Sequence, residues 1–179
     1  MSTVFFKLKV MGNSAENARS THVIAQFDAA GKLLNPRSIA ASSMFGWGKW
    51  QHSEKMPCSF GDLWWTSTPG HGGYILVTQN ENLPEFKEAA RTVDYELQGK
   101  RFKFQVFEFE EDCDWAIIEY RDPLLRAHSF NRVNANRARD NRPPMTEQEF
   151  MQDIIISSLN RWNKSFLDAK DRQPESVTT

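Results

Sequence analysis

The chain has 179 residues, a net charge of −1, 40% hydrophobic residues and 25% charged ones. Thirteen phenylalanines and six tryptophans are material for a sizeable core, and the balanced charge lacks the bulk positive field of a nonspecific nucleic-acid binder. The longest apolar runs, Tyr74–Val77 and Trp115–Ile118, are far short of the roughly twenty residues of a membrane span. The N-terminus has no basic region followed by a long apolar segment, and two cysteines cannot build a disulfide scaffold. The expectation is a reduced, cytoplasmic protein.

Val4, Phe6, Leu8 and Val10 alternate with Phe5, Lys7 and Lys9, the period of a half-buried strand. Val23, Ala25 and Phe27 alternate again. Residues 35–62 read as irregular, broken by Pro36, Gly46, Gly48, Pro57 and Gly61. Leu63–Ser67 and Gly73–Thr78 read as strands joined by Thr68-Pro-Gly-His-Gly-Gly73. The apolar steps Leu83, Phe86, Ala90, Val93 and Leu97, with Asn82 as cap and Gly99 as stop, predict a helix at about 83–98. Arg101–Phe109 returns to a strand with phenylalanines on both faces, which suits a central position. Residues 110–120 fit a helix or a strand. Residues 127–145 read as a polar loop ending in Pro143-Pro144. Thr146-Glu-Gln-Glu149 is a capping box that opens a helix at about 147–169, with Phe150, Met151, Ile154, Ile155, Leu159, Trp162 and Phe166 as its apolar stripe. The class is α+β with a small, mostly antiparallel sheet, in one domain over 1–170 followed by a polar tail, 171–179. No dinucleotide or Walker-type glycine motif is present.

Charge is divided along the chain: residues 1–60 carry +4, 61–120 carry −7 and 121–179 carry +2. Four places have residue types that carry chemistry. His71, set among glycines, is an acid, base or ligand, or the packing residue of a Pro-Gly hairpin. Glu110, Glu111, Asp112 and Asp114 flank Cys113; hard carboxylates in this spacing suit Mg²⁺ or Mn²⁺ or an acid/base pair, or they are a solvated charge run. A metal set of Glu110, Asp112 and Asp114 is the alternative to no metal at all. Cys58, His71 and Cys113 lack zinc-type spacing, and the two cysteines read as buried, reduced thiols. Trp47 and Trp50, with Trp64 and Trp65, form either a binding surface or core. Arg126, Arg132, Arg137 and Arg139, in the arginine- and asparagine-rich stretch 121–142, suit phosphate, carboxylate or base edges, or belong to a surface loop.

Three motifs in order, Trp47-Gly48, then Ser67-Thr68-Pro-Gly-His71-Gly-Gly73, then Glu110-Glu111-Asp112-Cys113-Asp114-Trp115, resemble an uncharacterised domain family. That family is encoded mostly by bacteriophages, plasmids and integrative elements. The resemblance covers about 44–125. The chain departs from the pattern in a longer gap before the acidic block and in extensions at both ends. The resemblance implies a mobile-element context and a common site at His71 and the acidic block, and it supplies no reaction. The expectation is an accessory protein that binds and modulates a host macromolecule, a host protein in a nucleic-acid-handling or defence complex. The acidic block would mimic phosphate, Trp47 and Trp50 would anchor, membrane association is not expected, and direct nucleic-acid binding is the less favoured reading. The alternative is a metal-dependent hydrolase or nuclease, with His71, Glu110 and Glu111 catalytic.

Overall fold

The computed structural model describes residues 2–9, 20–28, 30, 34, 36, 51–84, 86, 91–97 and 100–170. Its elements are α+β, as expected. A hairpin of β1 (Ser2–Lys9) and β2 (Ser20–Phe27) forms its own two-stranded antiparallel sheet, with Phe5 opposite Ile24. The main sheet has β3 (His52–Met56), β4 (Asp62–Ser67), β5 (Gly72–Thr78), β6 (Arg91–Leu97) and β7 (Lys100–Glu110), in the order β3-β4-β5-β7-β6. Helices follow: α1 (Trp115–Arg121), α2 (Pro123–Arg139), the single turn α3 (Glu147–Glu149), a π-helical segment (Phe150–Ile156), α4 (Ser157–Trp162) and α5 (Lys164–Lys170).

The chain divides into two units. The strands lie in the first, up to Glu108; the second comprises Pro84–Lys87 and Phe109–Thr179. In the first, β5 is buried along its whole length, as suits an inner strand with an unbroken apolar run. Strand β7 is also internal to the sheet, and Phe104 and Val106 are buried on one of its faces, Phe107 on the other. In the second unit the core is Phe86, Phe109, Ile117, Ile118, Leu125, Phe150, Ile155 and Leu159, with Phe86 meeting Phe109 edge-to-face at 5.3 Å.

Three elements differ from expectation. Residues 91–97 of the expected 83–98 helix are strand β6, paired antiparallel with β7 from Arg91 opposite Val106 to Leu97 opposite Lys100. Val93, Tyr95 and Leu97 also alternate, and Thr, Val and Tyr favour a pleated sheet, so period two wins once β7 offers its free edge. Asn82 caps no helix; its backbone N–H donates to Asn80 Oδ1. The stretch 35–62 is not wholly irregular, since β3 lies within it and pairs with β4. The expected loop at 127–145 is mostly helix α2. Asp122 caps it, accepting from the N–H groups of Leu124 and Leu125, and Pro123 occupies its first turn, where a missing N–H does no harm.

The capping box at Thr146 and Glu149 is formed in both directions. The helical region beyond it runs on as expected, but through π geometry, with Ser157 N–H reaching Gln152 O five residues back. The inserted residue turns the following stripe. Leu159 remains buried, while Trp162 is 50% exposed beneath the Arg161 guanidinium. Buried Asn163 separates α4 from α5 and donates its amide to the Cys113 carbonyl.

Candidate functional site

His71 stands at the tip of the β4–β5 hairpin. The Thr68 hydroxyl donates to His71 O at 3.0 Å and accepts from His71 N–H at 3.1 Å, while Thr68 N–H reaches the same carbonyl at 2.7 Å. This closes the turn on itself and leaves His71 exposed. Gly72 and Gly73 do not form a ligand cradle. They begin β5, buried and paired with Ser67 and Thr66, and the Thr66 hydroxyl donates to Gly73 O. A Cβ on Gly70 would meet open space. Gly72 and Gly73 therefore serve the packed hairpin, whereas no crowding at Gly70 demands a glycine. On the same strand pair, Trp65 packs edge-to-face on Tyr74 at 4.9 Å, and Lys55, which also pairs with Asp62, lies over the Trp64 ring. Trp64 and Trp65 are part of the sheet's packing. Trp47 and Trp50 lie outside the described residues.

The acidic block belongs to the second unit, whereas His71 belongs to the first. Strand β7 ends at Glu110, whose carbonyl accepts from the N–H groups of Cys113 and Asp114. The resulting turn leads directly into α1. It leaves Asp112 exposed and Glu110 and Glu111 half-exposed, while Asp114 is buried. Cys113 donates its thiol proton toward Glu110 Oε2 at 3.5 Å. Burial, then the charge and hydrogen bond of Asp114, then Glu110, push the Cys113 thiol up to about 12. A thiol so held is protonated near neutrality and is a poor nucleophile. Cys58 is a free, half-buried thiol whose sulfur accepts from Phe60 N–H.

Among the described residues no three His, Cys, Asp or Glu side chains group as a cation site requires. Of the alternative set, Asp114 is buried beside the thiol, Asp112 is exposed and Glu110 is half-exposed.

The arginines are on a helix, where they do two kinds of work. Arg126 donates to Tyr120 O, and Arg137 donates its Nε–H to Pro143 O. Asn134 grips Met145, accepting from its N–H at 2.7 Å and donating to its carbonyl at 3.1 Å. The Arg137 and Asn134 contacts tie the 140–146 connection to α2, and the Arg126 contact ties α2 to α1. Arg132 and Arg139 are exposed. Sequence reasoning missed buried Glu119, which accepts from the Ser129 hydroxyl at 2.8 Å and joins α1 to α2. It also missed the capping role of Asp122, although Asp-Pro ahead of Leu-Leu was a readable start signal. Between the start of α2 and the π segment lies a groove of about 380 Å³, with Pro123, Phe130, Phe150 and Met151 as apolar walls and Arg126 and Glu147 as charged ones. No described helix is long and apolar enough to cross a membrane.

A family profile for a domain of unknown function, DUF7007, matches residues 40–165. No curated protein and no solved structure matches the chain.

Proposed function

The chain belongs to the DUF7007 family of unknown function, and from that premise we propose that it is a binding protein without a reaction of its own. It is an accessory factor of a phage, plasmid or related element that docks in the bacterial cytoplasm on a host protein of a nucleic-acid-handling or defence complex. The observation that supports this is the β7–α1 turn. Glu110, Glu111 and Asp112 face wholly or partly outward, while the one group there suited to covalent chemistry, Cys113, is held protonated. Outward carboxylates in a row offer a basic surface what a phosphate backbone offers, and their field steers encounter more than it adds contact energy.

The test is capture from a bacterial lysate with tagged wild-type chain and with the variant Glu110→Gln, Glu111→Gln, Asp112→Asn. The expected result is a set of nucleic-acid-binding proteins retained by the wild type at low salt and lost by the variant. Equal retention by both would contradict the reading. Turnover of a phosphodiester or ester by the purified chain, abolished in His71→Ala, would replace it with a hydrolase.

A further inference from the structure

The groove between the start of α2 and the π segment holds charges of both signs that do not meet. Its apolar walls are Pro123 and Phe130 from α2, and Phe150 and Met151 from beyond the capping box. Phe130 meets Phe150 edge-to-face at 5.7 Å. Arg126 lines the groove from α2 and Glu147 from α3. Helix α2 contains no aspartate or glutamate, so Glu147 is the acid of this lining. Among the described residues Arg126 makes one side-chain hydrogen bond, from Nη1 to the Tyr120 carbonyl at 2.9 Å, and the Glu147 side chain makes none. The Tyr120 bond holds the half-buried guanidinium in place and leaves its Nη2 and Nε donors unused. The π geometry begins at Phe150, within the lining itself, and such turns recur at functional sites.

We infer that this groove binds a free apolar α-amino acid. The ligand's carboxylate would take the open donors of Arg126 in charge-assisted hydrogen bonds. Its ammonium would take Glu147, and its side chain would lie against Phe130, Phe150 and Met151. A thioether beside aromatic rings adapts to branched and aromatic side chains alike. Size favours a small molecule over a length of chain. Residues 123–130 span about 10 Å of helix and 147–151 about 6 Å, and a volume of about 380 Å³ is at the lower end of small-molecule pockets. Charge complementarity then selects the class. A fatty acid or other monocarboxylate satisfies Arg126 and ignores Glu147. An amine does the reverse, and a phosphate is repelled by Glu147. The internal residues of a peptide carry neither charge. A zwitterion with an apolar body uses both charged residues and the apolar walls. The groove is separate from the acidic turn, so it stands or falls apart from the protein-docking reading.

The test is isothermal titration calorimetry of the full chain with L-leucine and L-phenylalanine. N-acetyl-L-leucine and L-leucinamide serve as probes that each lack one charge. Saturable binding of the free amino acids is expected, with each blocked probe weaker by at least about tenfold, because each loses a hydrogen bond between charged groups. Glu147→Gln should weaken leucine to a similar extent and leave N-acetyl-L-leucine unchanged. Arg126→Gln should weaken leucine and leave leucinamide unchanged. Glu147 is exposed and bonded to nothing, so Glu147→Gln should melt as the wild type does, and its loss of affinity then reports the site rather than the fold. Glu110→Gln with Glu111→Gln should leave leucine binding intact, which separates the groove from the acidic turn. No binding of either amino acid at millimolar concentration would overturn the inference. So would equal leucine affinity in Glu147→Gln and wild type, or N-acetyl-L-leucine binding as tightly as leucine.

Discussion

Cys113 sits in the turn after β7 with Glu110 and Asp114 at its sulfur. Burial first, and those carboxylates after it, push the thiol up to about 12. Iodoacetamide should therefore modify Cys113 at pH 8 far more slowly than a free thiol. Asp114→Asn should speed the reaction, and Glu110→Gln should speed it less, in the order of their influence. Mass spectrometry of the alkylated chain checks this; a rate at Cys113 equal to that of a free thiol would contradict it. Linkage follows with a definite sign. The folded state holds this proton more tightly than the unfolded chain, so the associated stability is whole below about pH 9 and lost as pH rises toward 12. At Gly61 the demand is steric. With φ at +159°, a Cβ there would lie 2.7 Å from Val77 O and 2.8 Å from Thr78 Cβ. The Thr78 hydroxyl holds the neighbouring Phe60 carbonyl at 2.6 Å, so the two segments cannot part freely. Gly61→Ala should cost about 1–3 kcal/mol, read from the urea midpoint, and an unchanged midpoint would show that the close approach relaxes at little cost.

Helix α2 depends on its start. Asp122 is fully buried and takes two orphan N–H groups. Asp122→Ala should destabilise the protein by about 1–2 kcal/mol, and Asp122→Asn by less, since asparagine caps nearly as well. Equal melting temperatures for wild type and Asp122→Ala would contradict the capping role. The sequence made some of these elements plain and hid others for physical reasons. The central place of β7 was legible because phenylalanine on both faces has only one economical burial. The capping box at Thr146 was legible because its partners are local. β6 was not, because Leu83 to Leu97 satisfies a helical step while Val93, Tyr95 and Leu97 satisfy a strand, and only pairing to β7 decides. α2 was hidden by asparagines whose side chains are spent elsewhere, Asn134 on Met145, and Asn131 and Asn136 toward solvent. The exposure of Trp162 depended on a π insertion that no residue type announces. Of the candidate site, the sequence showed which carboxylates cluster but not that Asp114 turns inward to the thiol. It showed His71 set among glycines but not that Gly72 and Gly73 are strand residues, paired with Ser67 and Thr66.

At the scale of the whole molecule, a net charge of −1 conceals surfaces of opposite sign: the carboxylates of the β7–α1 turn and the acid-free face of α2. Near-neutral chains associate through such local fields rather than through total charge. Exposed charges act over about 8 Å at physiological ionic strength, so each surface steers only a partner already close and complementary. The binding account thus makes the outward carboxylates a determinant of association rate. His71, whose backbone closes a hairpin, has no part in that field. The most direct measurement is the association rate constant between the full chain and its purified principal host partner, taken across ionic strength. For wild type it should fall steeply with salt. For Glu110→Gln, Glu111→Gln, Asp112→Asn it should start low and stay nearly flat, and His71→Ala should follow the wild-type curve. Association rates that are the same for wild type and the triple variant at every ionic strength would contradict the account.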